Sequence, residues 1–186
     1  CVEQFTGNEY TFTAVVYATD ANGFYVNDTH GSIYVVTDTN ANVGDEVVIT
    51  GTLSLEGTGI KKPVITATTN SYVNATGKTA LQPEYKTIEE VIGVTAARQN
   101  FYQFVTVAGF VTPVEGGYTL TVGEGSAKLN FAADSNATLA NWENKQVDLT
   151  AIVTGYQSGW QLSVVAESIA LHQTDLDLVK DAIFTW

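Results

Sequence analysis

Alternation of apolar and polar residues with period two, cut by short turns and then run through a second time, is the feature that most constrains this chain. Such a pattern puts successive side chains on opposite faces of a strand, so one face can be buried. YTFTAVVYAT (10–19) reads as a first strand. Asn22-Gly23 follows, a pair suited to the positive φ angles of a tight hairpin. GFYVNDTHGSIYVVTD (23–38) holds strands at 24–28 and 32–37 around Thr29, His30 and Gly31. The polar stretch TDTNANVGD leads into a strand at 46–55, and a last strand covers 62–69.

The same grammar recurs. FVTVAGFVT (104–112), YTLTV and SAKLNFA are the next strands, with a turn at Gly116-Gly117. ADSNATLANWEN is a connector with a helical turn around Leu139 to Trp142. QVDLTAIVTG and WQLSVVAESIAL complete the set. GFYV and GYTL stand 94 residues apart, and EVVITGTL and QVDLTAIV stand 100 apart. The difference is a longer surface connector in the second copy, where insertions cost little.

Between the copies, Thr87 and Glu90 have capping-box spacing, and Ile88, Val91 and Ile92 form an apolar stripe. This predicts a short amphipathic helix. Both ends of the chain echo it. Val2 to Phe5 resemble Ile88 to Val91, while Thr174 and Asp177 repeat the capping spacing ahead of Leu176, Val179, Ala182 and Ile183 on one helical face. The expected organisation is a first domain over 1–80, a second over 81–173 and a C-terminal helix over 174–186.

Five strands with this rhythm resemble the oligonucleotide/oligosaccharide-binding (OB) fold. Asp28, Gly31, Val43, Gly44, Asp45, Val47 and Gly51 are similar to the pattern of anticodon-binding-like OB domains. The likeness covers 10–69 well. The second copy departs from it: Val122 replaces the turn Asp, and WENKQVDLTA replaces the VGDEV segment. The resemblance implies an all-β chain of two tandem five-stranded OB-fold barrels joined by a short amphipathic helix, with Trp142 as a plug for the barrel bottom, where OB folds place a helix. It also implies the secreted or outer-surface tandem proteins of Bacteroidota-like bacteria. Asp28, Gly31, Gly44 and Asp45 read as keepers of turns.

Charge narrows the partner. Eight basic residues against twenty acidic ones give a net charge of −12, a field that repels phosphate backbones. A polysaccharide or another protein is therefore favoured over nucleic acid. Lys61, Lys62, Lys78 and Lys86 are the densest basic group of the first half, and only a local groove built from them rescues the nucleic-acid case. No apolar run reaches the roughly 18 residues a spanning helix needs. The low lysine content and the excess of Thr, Asn, Val, Tyr and Gly point to an extracellular or outer-surface location. Cys1, the single cysteine, is either simply where the sequence begins or the lipid-bearing first residue of a mature lipoprotein. Asn27, Asn74 and Asn136 head glycosylation-type triplets that an Asn- and Thr-rich chain also yields by chance.

Catalysis finds little support: His30 and His172 have no spaced carboxylate set in sequence, and no phosphate loop or nucleophile elbow is present. No cofactor or metal is expected. Asp38, Asn40, Asn42 and Asp45 have faint calcium-loop spacing, but Ile49 stands where a bidentate Glu belongs. Aromatic residues are the better lead. If Phe24, Val26, Ile33 and Val35 line the barrel, Tyr25, Tyr34 and Asn27 face outward, either as a stacking platform or as a cross-strand pair packed on the neighbouring domain. The aligned positions of the second copy, Thr119, Thr121, Lys128 and Asn130, lack that platform, whose place is taken by Tyr156 and Trp160 in a late loop. The expected function is non-catalytic polymer binding. The alternative is a structural subunit that joins head to tail, with Leu176, Val179, Ile183, Phe184 and Trp186 as assembly residues.

Overall fold

The computed structural model describes residues 5–93, 100–122, 127–165, 168–173 and 182–183. Cys1, Leu176, Val179, Phe184 and Trp186 lie outside them. Strands β1 (Glu9–Asp20), β2 (Gly23–Asp28), β3 (Gly31–Val36), β4 (Glu46–Glu56) and β5 (Lys62–Ala67) make the first barrel, with β6 (Tyr72–Ala75) added on β4. After β7 (Glu84–Tyr85) and helix α1 (Ile88–Ile92) come β8 (Phe104–Val114), β9 (Gly117–Thr121), β10 (Lys128–Phe131), helix α2 (Asn136–Leu139), β11 (Gln146–Tyr156), β12 (Trp160–Val164) and β13 (Ala170–Leu171).

Both barrels close in the same way. β1 pairs antiparallel with β2 along its second half and with β4 along its first, and β3 runs parallel to β5. In the second barrel β8 pairs with β9 and β11, and β10 runs parallel to β12. The chain is thus all-β, two closed five-stranded barrels in tandem with the strand connectivity of OB-like folds. The inward positions follow the alternation. Phe24, Val26 and Val35 are buried in the first barrel, and Val107, Leu120, Leu129 and Leu149 in the second.

Four local features differ from the sequence reading. The segment 160–171 is not one strand, because β12 stops at Val164 and only Ala170–Leu171 returns to pair with β11. The connector is more helical than one turn: 3-10 turns at Ala133–Ser135 and Ala140–Trp142 flank α2. Leu139 is its fully buried plug, while Trp142 is only half-buried, with the Lys145 ammonium 5.8 Å from its ring centre. Gly23 does not carry a positive φ. A glycine is needed there because a Cβ would stand 1.9 Å from the Val35 carbonyl oxygen.

The capping box forms as its spacing implies: Glu90 N donates to Thr87 Oγ1 at 3.2 Å, and Thr87 N donates to Glu90 Oε2 at 2.8 Å. The apolar face of α1 does not bridge to the first barrel. Ile88 and Val91 are fully buried in the core of the second. Asp28 also behaves as a turn keeper, accepting from His30 N at 2.7 Å and Gly31 N at 3.1 Å. Asp45 does likewise, its Oδ2 accepting from Asn42 N at 2.8 Å. No helix among the described residues is long and apolar enough to cross a membrane.

Candidate functional site

The two aromatic groups singled out in the sequence lie at the two ends of one run of rings that crosses from barrel to barrel. Tyr25 and Tyr34 face each other across the β2–β3 pair, ring centres 4.7 Å apart. Tyr25 then lies 6.1 Å from Tyr17 on β1 and 6.1 Å from Tyr102 of the second domain. Tyr17 meets Phe104 at 5.2 Å. Tyr102 leads to Phe101 at 6.3 Å, Phe101 to Trp160 at 5.2 Å, and Trp160 to Tyr156 at 5.0 Å. These tilted and edge-on arrangements suit the quadrupoles of the rings.

Hydrogen bonds fasten the joint. Tyr17 Oη donates to the Tyr102 carbonyl at 3.2 Å, Tyr102 Oη donates to the Pro63 carbonyl, and Lys62 Nζ donates to the Thr154 carbonyl at 3.1 Å. Tyr17 and Ala18 of the first barrel belong to the same buried cluster as the second barrel's core. The first barrel keeps a separate interior around Val16, Phe24, Val35 and Ile49.

Sequence reasoning missed Tyr17, Phe101, Tyr102 and Phe104, which make the crossing. Tyr17 was partly legible. Burial runs without interruption through Val16, Tyr17 and Ala18, where β1 breaks register with β2, so both faces of the strand are covered. FYQF (101–104) carries no period, because it is the irregular lead-in to β8. Asn27, the third member of the first platform, is used locally: its Nδ2 donates to the Gly31 carbonyl at 3.0 Å and to Ser32 Oγ at 2.9 Å.

Trp160 is buried, whereas Tyr156 is half-buried. Tyr156 stands at a cleft of about 340 Å³ between the β4–β5 and β11–β12 hairpins, with Glu56, Ile60, Lys62, Gln157 and Gln161 around it. The walls of this cleft offer an apolar ring, amide groups, one carboxylate and one ammonium, which suits hydrogen-bonding neutral ligands. Tyr25 meets a second open space shared by both barrels, also of about 340 Å³, where Tyr17 and Val43 face Ile152 and Val164.

The histidines, unpartnered in sequence, find aspartates in space. His172 Nδ1 lies 2.9 Å from Asp148 Oδ1, and Tyr85 Oη donates to the same carboxylate atom at 3.4 Å. Together with His172 N donating to Gln146 O at 2.9 Å, this holds the chain after β13 against β11. His30 lies 3.4 Å from Asp28 in the exposed turn. Among the described residues no group of three or more potential metal ligands forms.

Burial, with the neighbouring Asp20 carboxylate added at Tyr34, pushes the hydroxyls of Tyr17, Tyr34 and Tyr102 well above the ordinary value of 10.0. The folded state therefore keeps protons that the unfolded chain gives up. These tyrosines contribute stability that is complete below about pH 10 and is lost as pH rises beyond it. In an alkaline titration, the tyrosinate absorbance of these three should appear only together with loss of folded circular dichroism. Smooth ionisation of all tyrosines near pH 10 in a folded chain would contradict the buried joint.

Comparison with protein-family models, with curated proteins and with solved structures yields no match to this chain.

Proposed function

We propose that this chain is a non-catalytic, two-barrel binding module of the cell exterior that holds an extended neutral polymer, a polysaccharide or a protein segment, at the cleft between its β4–β5 and β11–β12 hairpins. The observation that carries the reading is the half-buried Tyr156 at the mouth of that cleft, backed by the buried Trp160. A ring held edge-on by a second ring presents a face with little freedom left to lose on binding. The strand 2–3 surface that OB-like barrels use for ligands is directed in the first barrel toward the second, which favours the hairpin cleft over the Tyr25/Tyr34 face.

Charge supports a neutral partner. Lys78 lies 3.7 Å from Glu46, Lys86 lies 3.6 Å from Glu84, and Lys62 is held on the Thr154 carbonyl, so three of the four clustered lysines already have local partners. With a net charge of −12 this leaves little for a phosphate backbone. The OB-like barrels and the turn residues Asp28, Gly31 and Gly44 support placing the chain with the anticodon-binding-like tandem proteins of bacterial surfaces. Lipidation at Cys1 belongs to the same proposal.

The test is retention on immobilised neutral polysaccharides and on extended peptides. Tyr156→Ala should weaken retention about tenfold, since a lost ring stack is worth on the order of 1–3 kcal/mol. Its melting temperature should stay close to that of the parent chain. Retention by oligonucleotides, or turnover of any retained polymer, would displace this reading. A second reading, head-to-tail assembly, is favoured by one specific observation: an apolar cleft of about 470 Å³ at the end of the first barrel, which no helix among the described residues covers.

A further inference from the structure

The cleft at Tyr156 is built by both barrels and by neither alone. Glu56, Ile60 and Lys62 come from the β4–β5 hairpin of the first, and Tyr156, Gln157 and Gln161 from the β11–β12 hairpin of the second. Lys62 Nζ, donating to the Thr154 carbonyl at 3.1 Å, ties the two sides together. At the tip of the first hairpin Gly59 lies beside the Tyr156 ring, where a Cβ would stand 4.0 Å from Cδ1.

Backbone groups around the cleft are largely engaged. The Thr154 carbonyl accepts from Lys62, the Pro63 carbonyl accepts from Tyr102, and Gln157 N donates to Gly159 O at 2.9 Å. β12 lies between β11 and β10. These groups are therefore not open to the strand pairing by which an extended peptide joins a sheet edge.

The side chains are the reverse. Gln161 is half-buried, and among the described residues its amide has no hydrogen-bond partner. The same holds for the exposed Gln157 amide and Glu56 carboxylate. A half-buried amide left unpaired costs free energy that a ligand group can recover. Gln161 is also fixed in place. It faces Gly155 across the β11–β12 pair, next to the register shift between Val153 and Gly155, and a Cβ on Gly155 would stand 2.5 Å from Gln161 Oε1. The cleft thus sets one flat apolar ring beside amides that both donate and accept.

A sugar ring matches this pattern. One of its faces carries C–H groups that can lie on an aromatic ring, and its rim carries hydroxyls that both donate and accept. A peptide segment brings backbone N–H and C=O groups that need partners once covered. A net charge of −12 and the unpaired Glu56 oppose an acidic saccharide.

We infer that the cleft grips one sugar ring of a neutral polysaccharide, with Tyr156 stacked on its C–H face and Gln161, held in place by Gly155, hydrogen-bonded to its hydroxyls. This rests on the hairpin-cleft reading above and selects the polysaccharide over the protein segment. Gln161 determines specificity, and Gly155 is its positioning residue.

The test is titration of the full chain with soluble galactomannan, mixed-linkage glucan and xylan, with polygalacturonate as the charged counterpart and an uncharged extended peptide as the protein counterpart. At least one neutral polysaccharide should bind and shift the Gln161 side-chain amide resonances, while polygalacturonate and the peptide should not. Tyr156→Phe keeps the ring and should bind like the parent chain. Gln161→Met keeps the length of the side chain but not its hydrogen bonds, and should weaken binding about fivefold. Gly155→Ala should weaken it equally with little change in melting temperature, because its methyl displaces only the end of a flexible side chain. The double variant should be no weaker than either single one, since both remove the same contact.

Binding of the peptide alone, lost in Tyr156→Ala, overturns this inference and leaves the hairpin cleft standing as a protein site. Polysaccharide binding that Gln161→Met and Gly155→Ala leave unchanged, or that polygalacturonate matches, also overturns it without touching the cleft reading. Binding of nothing in the series, or binding indifferent to Tyr156→Ala, overturns both.

Discussion

Tyr102→Ala is expected to cost about 3–5 kcal/mol, the scale for removing a buried large aromatic side chain, and to split one melting transition into two. The ring of Tyr102 lies between Tyr25 of the first barrel and Phe101 of the second, and its hydroxyl donates to the Pro63 carbonyl. Its own carbonyl accepts from Tyr17. Removing the side chain therefore opens a void at the joint and leaves the Pro63 carbonyl without this donor. Each barrel keeps its closed ring of strands, so the loss falls on the coupling between them.

Two companion variants separate the causes. Tyr102→Phe retains the ring and should cost only about 1 kcal/mol for the lost hydrogen bond. Tyr102→Gly loses the ring but relieves the φ of 69°, so it should be less damaging than Ala by about 1 kcal/mol. Calorimetry reads all three. A single unshifted transition for Tyr102→Ala would show that the barrels do not depend on this contact.

Gly23→Ala is the second large effect. The added methyl would stand 1.9 Å from the Val35 carbonyl oxygen, a backbone atom of the paired strand. That oxygen cannot rotate aside as a side chain can, so the β2–β3 hairpin must separate locally. A loss of at least about 2 kcal/mol is expected, toward the upper end for overpacking. Gly116→Ala is the control. It has a positive φ of 80° but open space around its Cβ, and should cost only about 1 kcal/mol from backbone strain. Denaturant midpoints of the two variants compare steric and torsional cost directly. Equal losses would mean that the hairpin relaxes easily around Gly23.

The strand grammar was legible because burial of one face forces a period of two. Phe24, Val26 and Val35 point inward as the alternation requires. The duplication was legible for the same reason, and α1 because a capping box is a contact between neighbours in sequence. The short edge strands β6, β7 and β13 were not, since two to four residues hold no period. Gly23 was recognised as necessary but for the wrong cause: the turn offered a local reason, and the actual one lies on the facing strand.

What the sequence by itself determined is the identity of the strands that close the two barrels, their inward faces, the repetition of the barrel and the cap of α1. All of these are set by residues within a few positions of one another. Tertiary structure alone decided what the outward faces meet. Alternation marks Tyr25 and Tyr34 as outward but is silent on their neighbours, which come from Tyr17 and from the aperiodic loop at Phe101 and Tyr102. The hydrogen bond that ties Tyr17 to Tyr102 spans 85 residues of chain. Local pattern fixes the direction of a side chain. Its surroundings depend on segments that folding brings together from far apart, and no period in the sequence encodes that encounter.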